Sequence, residues 1–214
     1  MESRPTELWL QPCEFPRRQL SAVGRKLLRR ALASRNLRLL EHQYSLPGVE
    51  LIELLSSTYG IAVSISHCPG LVAVALGSVA IGVDCESGNQ KRDWAQLAEF
   101  AFTPAEAGTL ARLSVEDQAA SFLRHWVCKE AFVKLKMGSV FGDLNRLLLA
   151  DDGTFVIDTY SDELVHLWCG VYLGFQLALC YQTEASSPPV VFDNCGTPLP
   201  LNLIQIHQSR RNIA

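Results

Sequence analysis

Two short stretches of this chain bring together residue types that do chemistry. In the first, Trp126, Lys129, Glu130, Ala131 and Lys134 fall within nine positions. Glu130 and Lys134 are four apart, so on a helix they share one face, one turn from each other. Taken alone, that pair reads as an ordinary surface ion pair of little energetic weight. The second stretch is an apolar run, residues 79–83, that ends in Asp84 and Glu86. Two apart on a strand, those carboxylates point the same way. If strand end and helix meet, three carboxylates and a lysine converge, a donor set suited to a hard metal ion beside a phosphate.

The pattern around these stretches says how they are carried. Phe122, Leu123, Trp126, Val127, Ala131 and Leu135 recur at three- and four-residue spacing, which predicts a helix from near Asp117 to near Met137. Ser114 opens it, and Thr103-Pro104-Ala105-Glu106 opens another with a capping box and a proline in the first turn. Residues 92–102 read as helix, and residues 17–40 as a long helix whose apolar stripe runs from Leu20 to Leu32. Residues 8–10 suggest a short first strand, and residues 49–55 fit helix or strand equally. Residues 61–66 and 71–76 form a hairpin across the turn chemistry of His67-Cys68-Pro69-Gly70, and Gly77-Ser78 reads as a second tight connection into the strand bearing Asp84. Further strands are expected at 146–150 and 154–158 across Asp151-Asp152-Gly153, then at 165–172 and 174–181. Residues 183–200 are expected to form a surface tail, with residues 201–206 docking back as a short edge. This order gives an α+β chain of helices on mostly antiparallel strands. Helix followed by strands occurs in each half, dividing the chain into residues 1–86, 87–182 and a tail, 183–214.

Composition narrows the function classes. The 214 residues are 48% apolar and 19% charged, which is globular. The net charge of −3 does not point to nucleic acid. Positions 1–40 nevertheless hold nine Lys/Arg against three acids, which suggests an anionic ligand or an acidic partner. Seven cysteines without a C-x-x-C read as reduced, mostly buried thiols in a cytoplasmic protein. Glu2, Arg4 and Glu7 interrupt any early apolar run, so no signal peptide is expected, and the apolar region 61–85 is punctuated as a hairpin rather than a membrane span.

Gly82-Val83-Asp84-Cys85-Glu86, then Phe102-Thr103-Pro104-Ala105-Glu106, then the stretch from Trp126 through Lys129-Glu130-Ala131 to Lys134 resembles the Sfp-type 4′-phosphopantetheinyl transferases. That family's signature is G-x-D-x-E followed by W-x-x-K-E-A-x-x-K, and Ser66-His67 is similar to its S-H element. The resemblance spans roughly residues 61–139. It implies two similar α+β halves with coenzyme A in the cleft between them. It implies Mg²⁺-dependent transfer of the phosphopantetheine arm from coenzyme A to a serine of an apo acyl or peptidyl carrier protein of acidic surface. By the same resemblance Asp84, Glu86 and Glu130 hold the metal, Glu130 and Lys134 are catalytic, and His67, Ser66, Lys134, Arg17, Arg18 and Arg25 meet coenzyme A. A monomer without nucleic-acid or membrane partners is expected. Trp126 is assigned to packing, Lys129 to phosphate, carrier or solvent, and Thr103 and Glu106 to helix capping.

The chain departs from the family ahead of the S-H element. Where G-K-P is usual, it reads Leu46-Pro47-Gly48-Val49-Glu50, without lysine. A catalytically weak paralogue that binds coenzyme A or carrier is therefore one alternative. Another Mg²⁺-dependent phosphoryl-transfer or phosphodiester-cleaving enzyme is a second, although no P-loop is present. A purely structural protein is the third, and it leaves Asp84 and Glu86 unexplained.

Overall fold

A computed structural model describes residues 4–88, 92–138, 143–150, 154–157, 164–183 and 187–209. The chain is α+β. Its strands are β1 (Glu7–Pro12), β2 (Ala62–Cys68), β3 (Leu71–Gly77), β4 (Ile81–Ser87), β5 (Leu147–Leu149), β6 (Thr154–Ile157), β7 (Val165–Tyr172), β8 (Phe175–Gln182), β9 (Val190–Phe192) and β10 (Ile204–Gln208). Its helices are α1 (Arg17–Ser34), α2 (Gly48–Tyr59), α3 (Trp94–Ala101), α4 (Pro104–Ala111) and α5 (Val115–Leu135). The strands form two sheets, β2-β3-β1-β9 and β4-β8-β7-β10-β6-β5.

Strand alternation explains the layering. In β3, Val72, Val74 and Leu76 face α1 with Leu20, Leu27 and Leu28. Ala73 and Ala75 face the opposite way, packing with Val83 of β4 and Leu177 and Leu179 of β8. In β8, Ala178 and Cys180 turn instead toward Val127, Ala131 and Phe132 of α5. The order is therefore α1, first sheet, second sheet, α5. With both faces covered, β3 is buried along its whole length and reads as an unbroken apolar run.

Most elements lie where the pattern places them, and the differences have physical causes. Helix α1 stops at Ser34 rather than near residue 40. Asn36 adopts φ 59, and the Asn36 and Leu37 amides close back on Ala33 and Leu32 in a Schellman turn. His67 and Cys68 belong to β2, so the turn is Pro69-Gly70 alone. The segment 49–55 is helix α2, ended by Gly60 at φ 62. Gly77-Ser78 does not close a hairpin: β4 pairs with β8 in the other sheet, and the chain crosses between sheets there. Strands β7 and β8 do form a hairpin, through Leu173 and Gly174 at φ 50 and 83. Strands β5 and β6 pair as expected, although residues 151–153 of their turn lie outside the described residues.

The segment expected as a surface tail supplies two strands. Strand β9 adds to β1 in parallel. Strand β10 sits inside the second sheet, between β7 and β6, and not at an edge. The Tyr181 hydroxyl donates to the Ser187 carbonyl and accepts from the Trp168 indole, tying this segment to buried side chains. All seven cysteines are free thiols, and five are buried. No helix of the described residues is long and apolar enough to cross a membrane.

Candidate active site

The site begins at a glycine. Along β4, Ile81, Val83 and Cys85 face the first sheet, so Gly82, Asp84 and Glu86 face α5. A Cβ at Gly82 would lie 1.9 Å from the Ala131 carbonyl oxygen and 2.5 Å from the Leu135 amide nitrogen. Only glycine lets the helix backbone come this close to the strand. Lys134 on the same helix thereby reaches Asp84, and Glu130 lies close enough to feel the charges of both. Strand end and helix do meet.

Strand β2 completes the corner. It is the edge of the first sheet as β4 is of the second, and side chains join the two. Ser64 Oγ accepts from the Val83 amide at 3.0 Å, and Ser66 Oγ donates to Asp84 Oδ1 at 2.7 Å. Lys134 Nζ donates to the same oxygen at 2.7 Å and to Ser66 Oγ at 3.1 Å. One oxygen of Asp84 is thus doubly held. The other, Oδ2, is buried with no hydrogen-bond partner. An unpartnered buried carboxylate oxygen is costly and asks for a counterpart.

Glu86 and Glu130 share the negative field. Burial pushes both carboxyls above the usual glutamate range, and the Asp84 charge pushes them further, while Lys134 opposes it. Among the described residues, no three His, Cys, Asp or Glu side chains are already gathered as a metal cluster. The donors nonetheless fit a hard divalent ion in kind: all are carboxylate oxygens, one is buried and bare, and their charge exceeds that of the lysine balancing it.

His67 lies where two cavities come together. One, about 700 Å³, is walled by Trp94, Phe100, Phe122 and Trp126 with Glu86 and Arg17 at its rim. The other, about 870 Å³, lies between α1, α2 and β2 and includes Arg25 and Lys134. The His67 ring is 3.3 Å from Ser21 Oγ. Arg17 is exposed and borders the first cavity; Arg18 is exposed and lines neither. Arg25 lines the second cavity, with one guanidinium nitrogen donating to the Tyr44 and Leu46 carbonyls at 2.5 and 2.6 Å. The segment without G-K-P is therefore held by an arginine of α1. Trp126 stacks on Phe122 at 5.9 Å while bordering the first cavity, so it packs and faces the cavity at once.

Residues 80–182 match the 4′-phosphopantetheinyl transferase superfamily. The match starts at β4 and ends with β8, so it includes Asp84, Glu86, Glu130 and Lys134. Over 76 residues the chain is 34% identical to the 4′-phosphopantetheinyl transferase HetI of Nostoc sp. (strain PCC 7120 / SAG 25.82 / UTEX 2576). That stretch covers 35% of this chain and 32% of the relative, so the chain aligns with about a third of that protein's length.

Lys129 lies where neither a phosphate nor solvent reaches it. Its side chain has no exposure and its ammonium is 3.0 Å from Glu106 Oε1. Thr103 and Glu106 form the expected capping box, and Glu106 adds this second duty. Ser64 and the close approach at Gly82 are further parts of the site that motif reading passes over. Only the period-2 placement of serines at 64 and 66 hints at the first.

Proposed function

We propose that the chain transfers 4′-phosphopantetheine from coenzyme A to a serine hydroxyl of an apo carrier protein. The observation that supports this most is Asp84, held on one oxygen by Ser66 and Lys134 and bare on the other, where the Ser66-His67 strand, the Gly82–Glu86 strand and α5 converge. In this reading residues 1–86 and 87–182 are two similar halves, with β4 of the first pairing into the second sheet, and coenzyme A lies between them. Asp84, Glu86 and Glu130 would hold Mg²⁺, which supplies charge neutralisation at the pyrophosphate.

The chain's own residues do the rest. Lys134 binds the phosphates as a compact positive charge and stabilises the departing one. His67, with Arg17 and Arg25, orients coenzyme A, and Ser66 keeps the Asp84 carboxylate in place. Arg18 adds positive charge outside the cavities. The serine oxygen attacks the pantetheine-side phosphorus and the bond to the leaving phosphate breaks. The products are the phosphopantetheinyl serine and adenosine 3′,5′-bisphosphate. The serine proton goes to Glu130 or to a water that Glu130 orients, the carboxylate standing on α5 one turn from Lys134. We place the reaction in the cytoplasm, carried out by a monomer that docks an acidic carrier against its basic N-terminal region and touches neither nucleic acid nor membrane.

Intact-protein mass of several apo carriers, incubated with the chain, coenzyme A and Mg²⁺, tests this. One added phosphopantetheine is expected, lost with chelator. Glu130→Gln should slow transfer about 10²–10⁴-fold with the fold kept. Coenzyme A binding without transfer to any carrier would favour the weak-paralogue reading that the absent lysine at 46–53 suggests. Full turnover by Glu130→Gln would overturn the assignment.

A further inference from the structure

Lys129 precedes Glu130 in the chain but takes no part in the proposed chemistry. Its ammonium, besides facing Glu106, donates to the Leu147 carbonyl at 2.7 Å and reaches the Leu144 carbonyl and Asn145 Oδ1 at 3.4 Å. It also lies 5.4 Å from the centre of the Phe102 ring. Glu106 is equally committed. Oε1 accepts from the Leu149 amide at 3.0 Å, and Oε2 accepts from the Thr103 amide and hydroxyl at 3.1 and 2.9 Å. Burial alone would raise this carboxyl, but Lys129 and the two amides hold it below its ordinary value.

These partners come from three places: the start of α4, the middle of α5, and residues 144–149. One buried pair therefore ties all three. A buried ion pair is weak as a source of stability, because well-packed apolar side chains do as well. What it adds is direction. Anchoring Lys129 sets the roll of α5 at the point where Glu130 leaves the helix. Leu144 and Asn145 also border the aromatic cavity, so the same hub places that wall. A phosphate-binding role is closed to Lys129 by its lack of exposure and its full set of partners.

We infer that Glu106 and Lys129 form a positioning pair, which keeps Glu130 aimed at Asp84 and touches no ligand. The inference rests on the reading of Asp84, Glu86 and Glu130 as metal ligands. The test compares the wild-type chain with the double variant Glu106→Gln/Lys129→Met, which leaves no unpaired buried charge. Thermal melting reports the fold. Electron paramagnetic resonance of free Mn²⁺ reports metal affinity, and transfer assays give kcat and the KM for coenzyme A.

The expected result is cooperative melting with Mn²⁺ affinity and kcat both reduced about 10–100-fold, as for other groups that orient a metal ligand, and KM little changed. Glu106→Gln alone leaves the buried Lys129 ammonium without its carboxylate and sets an amide NH2 against donors, so it should fall in the same direction by at least as much. A folded variant with unchanged Mn²⁺ affinity and kcat overturns the inference while leaving the functional reading intact. A wild-type chain that binds no Mn²⁺ sinks the metal-site reading, and the inference with it. Loss of cooperative melting in both variants would make the pair scaffold for the whole fold and would also overturn it.

Discussion

Helix α5 carries two lysine–carboxylate pairs that are built in opposite ways. At Lys129 and Glu106, the exposures are 0% and 5%, and each oxygen of Glu106 has partners. At Lys134 and Asp84 the exposures are 31% and 6%, and Asp84 Oδ2 has none. The ion-pair distances, 3.0 and 2.7 Å, hardly differ. Saturation separates them. A completed pair has no valence left for a ligand and acts as scaffold, whereas an incomplete one, open to solvent on its lysine side, is where a ligand adds something.

Breaking each pair in turn tests that contrast. The largest stability loss is expected for Lys129→Met, which strands Glu106 in the interior: about 3–5 kcal/mol in urea unfolding. Gly82→Ala comes next, at about 1–3 kcal/mol, since its methyl must push α5 off β4. It should depress transfer as well, because the same contact brings Lys134 onto Asp84. Lys134→Met should cost about 1 kcal/mol or less, because its ammonium is partly screened by water. Transfer should nevertheless fall about 10²–10³-fold. A Lys134→Met chain that unfolds as readily as Lys129→Met would remove the distinction.

The smallest effect is on pH dependence. Glu106 is held below its ordinary value of 4.5, so its contribution is fully present above that value and is lost as pH falls through the lowered one. In Glu106→Gln that acid-side loss should vanish, leaving a shallower decline of melting temperature below pH 4.5. An unchanged slope would mean that the pair is not charged as described.

The two pairs also differ in how far the sequence reveals them. The directions of Asp84, Glu86, Glu130 and Lys134 were legible because strand and helix periods set them; the structure brings Lys134 onto Asp84 and lets both charges act on Glu86 and Glu130. Lys129 was not legible. A lysine at a helical position reads the same whether solvated or buried, and its partner already had a sufficient explanation as a cap. Local chemistry located nearly every element, including the capping box at Thr103 and Glu106, the Ser114 cap and the β7–β8 turn. It failed where pairing is decided at long range. Nothing near Gly77-Ser78 says that β4 will pair with β8, and nothing in residues 201–206 says that they will enter a sheet between two strands. Arg25 was legible through the family resemblance as a basic residue of the first helix, but not as a brace for the carbonyls of Tyr44 and Leu46.

The crossing of the chain between sheets after β3 has one more consequence. Ser66 and His67 ride on one sheet, while Asp84, Glu86, Glu130 and Lys134 ride on the other and its helix. The site is a vernier between two slabs. A shift of either slab along the shared apolar layer of Ala73, Ala75, Leu177 and Leu179 moves one set of groups past the other. Volume changes in that distant layer therefore register at the site as misalignment, even where they leave the fold intact.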